Sequence, residues 1–198
     1  MSQVPDTRTR LIEATIESIS VGGESSVRVQ NIAAAAEVKE PSVYHFFKNR
    51  VELVEAAQAE RYRRSYFEMF VPFKAVVDMA ETKEEFQTAI RKLFTFMYVS
   101  DRHEIRSVRA NVLGSAQTSP TLAIEIRRMN REVAQEMADL VTGLQKKKWV
   151  RQDLDTLAFA YWVMGQINGR VLAEMDPDHV ALEAWNKVSV EAVLRVFE

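Results

Sequence analysis

The chain has 198 residues, of which 47% are hydrophobic, no cysteine, and a formal net charge of −2. That length holds one large or two small domains at about 100–200 residues each, and the missing thiols exclude disulfides, thiol catalysis and cysteine metal sites. A near-neutral chain has no global attraction to nucleic acid, so such a partner must be met by a local patch.

Asp6 or Thr7 can cap a first helix in which Leu11, Ile12, Ile16 and Ile19 recur at helical spacing and which Gly22-Gly23 closes. Arg8 and Arg10 at its start read, on the residues alone, as solvated arginines. From Arg28 to Leu53 the pattern reads as a helix-turn-helix. Val29 to Ala36 is alanine-rich, favouring a helix slim enough on one side for another to cross closely. Glu37-Val38 forms the turn, and Pro41 suits the first turn of the second helix, where its missing N–H is no loss. Val43 and Phe47, four apart, anchor that helix, which leaves the hydroxyl of Tyr44, the imidazole of His45 and the ammonium of Lys48 elsewhere on its surface. Such a helix is suited to the major groove of DNA. Residues 1–50 carry six basic and six acidic side chains, so phosphate contact requires the basic ones to share a face.

Asn49 with Glu52 forms a capping signature for a helix through Tyr62 and Phe67 towards Pro72, joining two domains. Arg61, Arg63 and Arg64 on it read as a solvated or interdomain face before a second DNA site. Thr82 and Glu85 form another capping box, followed by Phe86, Ile90, Leu93, Phe94 and Met97 as an apolar stripe. A helix from about Glu104 passes Val108 and Val112 and is broken around Gly114. Ser119-Pro120 opens a long helix to Leu144, and Lys146, Lys147 and Lys148 complement its dipole. Asp153 caps the next helix, and Asp176-Pro177 opens the last. No strand pattern occurs, so the expected fold class is all-α, an N-terminal three-helix unit followed by an antiparallel helical bundle. The last two helices carry broad apolar surfaces, which predicts a homodimer paired through them as a four-helix interface. Gly165 and Gly169 either let backbones approach there or merely weaken the helix.

His45, His103 and His179 are far apart, no His-Glu-x-x-His pair exists, and no Gly-rich loop follows a strand. The expectation is no enzyme, no metal site and no cofactor. The longest uncharged apolar run, Thr156 to Gly169, has 14 residues, short of the roughly 18 that suggest a membrane span. With no apolar leader segment, a cytoplasmic protein without membrane contact is expected.

Ala36, Val38, Val43, Tyr44, Phe47, Arg50 and Leu53 together resemble the TetR family of bacterial transcription regulators. There the run is a small residue, Gly, Val and Ser, then an aliphatic residue, Tyr, a variable position, His or Tyr, and Phe, with a basic residue and Leu shortly after. Glu37 departs from the turn Gly, at a cost of about 1–2 kcal/mol if the backbone is left-handed. Lys39 and Arg28 stand where Ser or Thr usually cap the two helices, and Phe46 replaces His or Tyr.

The resemblance implies a DNA-binding domain over residues 4–64 and a ligand-binding and dimerisation domain over 65–198. The implied function is a ligand-responsive repressor that binds a near-palindromic, double-stranded operator as a homodimer and is released by a small, largely hydrophobic effector. Ser42 and His45 are the candidates for base edges. Tyr44, Lys48, Lys39, Arg28 and Arg50 are the candidates for phosphates. For the effector cavity the candidate walls are Phe67, Phe70, Phe94, Met97, Tyr98 and Trp162, with Phe73, Phe86 and Met164 beside them. Asn168, Arg106, Gln117 and Arg170 are candidate polar contacts. The alternative is a helical ligand-binding protein or enzyme of the same architecture that has lost DNA binding.

Overall fold

A computed structural model describes residues 5–197, so Val4, where the expected first domain begins, and Glu198 lie outside the described residues. Among the described residues there are nine α-helices, two short 3-10 turns and no strand, as the patterning predicts. The first helix, α1 (Thr7–Gly22), is capped by Asp6, whose carboxylate accepts the N–H of Thr9 at 2.8 Å. It stops where Gly23 turns to φ 70° and donates to the Ile19 carbonyl. α2 (Val29–Ala35) and α3 (Glu40–Phe46) follow as the crossing pair. Between them Glu37 sits at φ 57° and the Val38 N–H closes on the Ala33 carbonyl at 2.9 Å. The left-handed turn is therefore made by a residue that carries a Cβ.

α3 is shorter than expected, with Phe47 as its cap, so Lys48 lies beyond the helix and not on its surface. The anchoring stands: Val43 and Phe47 are buried with Leu11, Ile32 and Leu53 in one core.

α4 (Arg50–Met79) is capped by Asn49, which accepts the Glu52 N–H at 2.9 Å, while the Glu52 carboxylate accepts the N–H of Lys48 at 2.7 Å. It does not stop near Pro72 but runs through it. The proline removes the donor that would reach the Glu68 carbonyl, and Arg102 supplies the replacement, donating to that oxygen at 2.9 Å. Phe73 and Val77 beyond the proline are buried, so packing holds the last turns in line. The N-terminal core ends with Ala57 and the C-terminal core begins with Tyr62, both on this one helix.

The C-terminal unit contains α5 (Lys83–Met97), α6 (His103–Ala116), α7 (Pro120–Lys146), α8 (Thr156–Glu174) and α9 (Leu182–Phe197). Three boundaries differ from expectation. α6 is unbroken at Gly114 and ends at Ala116, because one glycine costs a helix interior only about 1 kcal/mol. Asp155, not Asp153, caps α8, accepting from the N–H groups of Leu157 and Ala158. Asp153 is held by Arg151, whose Nε donates to it at 2.7 Å. Asp176-Pro177 forms a turn, with Val180 N–H bonded to the Asp176 carbonyl, and α9 begins only at Leu182.

Replacing Glu37 by Gly removes a left-handed penalty of about 1–2 kcal/mol and adds about 0.5–1 kcal/mol of unfolded-chain entropy. Urea denaturation of Glu37→Gly should therefore show a gain of about 0.5–1 kcal/mol. A loss would mean that the Glu37 side chain contributes something its exposed position does not suggest.

Candidate DNA-binding face and ligand site

α3 buries one residue, Val43, and turns the others outward. Tyr44 is 50% exposed, His45 and Phe46 stand beside it with their rings edge to face at 5.0 Å, and Ser42 is half-buried. Lys39 at the start of the helix and Lys48 past its end are both exposed. Arg8 joins this surface, its guanidinium 5.4 Å from the centre of the Phe47 ring. Arg28 is exposed but folds back, Nη1 donating to the Ser25 carbonyl at 2.6 Å. Arg50 differs from its expected role: Nε donates to the Val27 carbonyl at 2.8 Å and Nη2 to that of Glu24. It ties the start of α4 to the turn before α2, and its donors on those two nitrogens are spent on backbone.

The acids of the first fifty residues are not spread evenly. Glu13 is paired with Arg64, which also bonds Glu60. Glu24 accepts from Ser115 at 2.6 Å and from Gln58, whose amide also reaches Asn111 at 3.3 Å. Both carboxylates are therefore turned to the seam with the C-terminal unit. Arg61 bonds Gln58 at 2.8 Å and Arg63 bonds Glu60 at 2.7 Å, so the arginine cluster of α4 is engaged along that helix and across the seam. Glu37 and Glu40 remain near the turn.

In the C-terminal unit a void of about 20 Å³ is lined in part by Phe70, Phe94, Met97, Met69, Met137 and Met164. Three of the seven candidate ligand contacts, Phe70, Phe94 and Met97, thus meet in one place, as do Phe73 and Met164 beside them. Phe67 does not: it is exposed on an outer groove of about 200 Å³ between α4 and α7. Trp162 is exposed on α8, against the Phe159 ring, and Gln117 is exposed at the end of α6. Tyr98 is buried elsewhere, edge-on to Trp185 at 5.1 Å, with its hydroxyl pushed up to about 12 by burial. Phe86 packs on Phe197.

The two arginines proposed as polar contacts serve a separate cluster. Arg106 donates to the Met97 carbonyl at 2.8 Å, the Val99 carbonyl at 3.1 Å and Glu174. Arg170 donates to Asn186 at 2.9 Å, and its Nη1 is 3.6 Å from the same carboxylate. His103 Nδ1 lies 3.0 Å from the other oxygen of Glu174. Burial pushes the Glu174 carboxyl up, but hydrogen bonds from Arg106 and His103 and the charges of both arginines outweigh it and hold the group below its ordinary value. These are structural contacts at the junction of α5, α6, α8 and α9.

Asn168 is different. Its Oδ1 accepts from Nε of Arg109 at 2.9 Å. Arg109 is 0% exposed and escaped the sequence reading. Its guanidinium stacks 4.2 Å from the Tyr66 ring, Nη1 is 3.6 Å from the Met69 sulfur, and Nη2 has no partner. Tyr62 and Tyr66 both donate to Asn130. The signal was available: Ile105, Arg109, Val112 and Ala116 follow helical spacing, so Arg109 interrupts an apolar stripe.

Residues 11–57 match the family model of bacterial regulatory proteins, tetR family. No curated protein matches the chain. Among solved structures, a TetR-family regulator from Rhodococcus sp. is 19% identical with a TM-score of 0.70, over 97% of this chain and 98% of its own. GusR from Salmonella enterica is 16% identical with a TM-score of 0.67, over 96% of this chain and 95% of its own. FadR from Bacillus subtilis, solved in complex with stearoyl-CoA, is 19% identical with a TM-score of 0.65, over 96% of this chain and 99% of its own. At these identities the likeness concerns the fold, which extends over the whole chain.

Glu174→Gln leaves two buried guanidinium groups without a counter-charge and should lower stability at neutral pH by about 3–5 kcal/mol. A carboxyl held below its ordinary 4.5 stabilises fully above that value and loses its contribution as pH falls through the folded one. The gap between parent and variant in urea titrations should therefore narrow as pH falls below that ordinary value. A gap that persists unchanged in acid would remove the ion pairs as its source.

Proposed function

We propose that this chain, whose residues 11–57 match the family model of bacterial regulatory proteins, tetR family, is a dimeric, ligand-responsive repressor that binds a near-palindromic operator through α3. The observation that carries the reading is a seven-residue helix anchored by Val43, with Phe47 at its end, whose Tyr44, His45 and Phe46 all face outward beside Lys39 and Lys48. Ser42 and His45 read base edges. Tyr44, Lys39, Lys48 and Arg28 contact phosphates, and Arg8 joins them; Arg50 holds the frame.

Dimerisation through α8 and α9 is supported by what they leave uncovered. Leu157, Tyr161, Leu172 and Met175 recur on one face of α8, Leu172 and Met175 being 76% and 78% exposed. A Cβ built at Gly165 on that face meets nothing in the same chain. Val188 on α9 is exposed as well. A symmetric copy would cover this surface and set two recognition helices about 34–36 Å apart, the spacing of successive major grooves.

The effector is a small molecule with a largely apolar body, taken up where the void lies. α6 forms part of the same bundle and its Ser115 grips Glu24 of the DNA-binding unit, so a ligand that spreads the bundle displaces that grip and the spacing of the recognition helices with it. Among the described residues no helix is long and apolar enough to cross a membrane. The balanced charge of residues 1–50 favours the second reading, a TetR-like ligand-binding protein that has lost DNA binding.

Selection of genomic fragments by the purified protein at low salt, followed by footprinting, separates the two. A protected near-palindrome supports the repressor, and no sequence above background supports the alternative. On a selected site, Tyr44→Ala should weaken binding with helicity intact, and Lys48→Ala should lower the slope of log affinity against log salt by about one unit. An unchanged slope would take Lys48 out of the interface.

A further inference from the structure

We infer that the effector site takes an anion, an apolar-bodied monocarboxylate whose headgroup pairs with Arg109. The inference deepens the proposed regulatory reading and rests on it for the word effector, though the site itself does not. A guanidinium stays charged under all ordinary conditions, and a charge removed from water is tolerated when it is paired. The molecule follows that rule one turn earlier on the same helix. Arg106 and Arg170 are as buried as Arg109, and Glu174 lies against both. Among the described residues no carboxylate pairs with Arg109.

Its neighbours offer only neutral groups: the amide of Asn168, the sulfur of Met69 and two aromatic faces. Burial drives the Tyr66 hydroxyl far above its ordinary value, with the Arg109 charge opposing only in part, so Tyr66 remains a neutral phenol and supplies no counter-charge. Nη2 is left with a donor and nothing to receive it.

Arg109 does not itself line the void; one layer of side chains separates the two, and that layer is deformable. Tyr66 and Met69, which touch Arg109, also line the void, together with Met97, Met137 and Met164. Unbranched thioether side chains repack at low cost, so the closed volume of about 20 Å³ is a starting state and not a limit. Tyr66, Phe70 and Val133 line both the void and the outer groove of about 200 Å³. When they swing aside, the two spaces join into a channel that opens to solvent between α4 and α7, and movement of Tyr66, which stacks on the guanidinium, extends it to Arg109. A carboxylate matches the guanidinium fork, and an alkyl or aryl body matches the Met and Phe walls.

The test holds the body constant and changes the headgroup: octanoate, 1-octanol and octylamine, titrated calorimetrically into the full-length protein. Octanoate should bind at least about tenfold more tightly than either of the others, a gap of about 1.4 kcal/mol. Arg109→Met should reduce octanoate to the level of octanol while the variant melts no lower than the parent, because an unpaired buried cation has been removed. Arg109→Lys, which keeps the charge and loses the fork, should weaken octanoate yet leave it ahead of octylamine. Equal affinity for the three headgroups, no binding of octanoate by the parent, or a preference that survives Arg109→Met would each overturn the inference. Should Arg109→Met not fold, the headgroup series on the parent decides by itself. DNA selection is scored separately. A carboxylate preference without operator binding sinks the regulatory reading alone, and operator binding without a headgroup preference sinks the anion site alone.

Discussion

A single helix serves two hydrophobic cores. Leu53, Val54 and Ala57 of α4 close the N-terminal cluster, and Tyr62, Tyr66, Met69 and Phe73 of the same helix form a wall of the C-terminal one. Because interiors are packed at near-crystalline density, neither cluster can rearrange without moving that rod or tearing away from it. The seam contacts follow from this sharing. Arg50 binds the start of α4 to the turn before α2, Arg64 binds its middle to Glu13 of α1, and Glu24 joins that turn to Gln58 of α4 and Ser115 of α6. The two units are therefore joined as a continuous solid, with polar ties that hold a defined geometry.

Sequence patterning located most of the helices because each is signalled by local chemistry. Asn49, Thr82 and Ser119 each accept the N–H that a first turn leaves free, and that requirement is visible in residue types three apart. The misplaced boundaries were those decided by distant partners. Nothing near Pro72 reveals that Arg102 waits to bond the carbonyl it orphans, and Asp153 and Asp155 are indistinguishable until Arg151 takes the first. The candidate site divided in the same way. The outward residues of α3 were legible from spacing. The ligand wall was half legible, since Phe70, Phe94 and Met97 converge while Phe67 and Trp162 lie on outer surfaces and Tyr98 is buried in another part of the core, a difference set by how α4, α5 and α8 pack. Arg50 was misassigned because a basic residue beside the second helix of a helix-turn-helix reads alike whether it faces phosphate or carbonyl.

Charge in this protein is organised by position more than by amount. The N-terminal unit is neutral in sum, yet Glu13 and Glu24 are committed to the seam while Arg8, Lys39 and Lys48 accompany the exposed face of α3. In the C-terminal unit Glu174 lies against two buried guanidinium groups, and among the described residues a third has no carboxylate. The same residue type thus does two jobs a turn apart, cementing helices at Arg106 and holding an unspent charge at Arg109.

Pro72 gives α4 a mechanical character that its length alone does not convey. A helix lacking one ladder bond bends more easily there than elsewhere, and here the freed carbonyl of Glu68 is held from outside by Arg102, between α5 and α6. The rod has one soft joint, and its stiffness is set by a side chain from another element. From Pro72 to the start of the helix is about 33 Å at about 1.5 Å per residue, so a bend of about 5° at the joint carries that end through about 3 Å. In leverage terms, a displacement too small to break a packed core at one end becomes, at the other, a shift comparable with the length of a hydrogen bond.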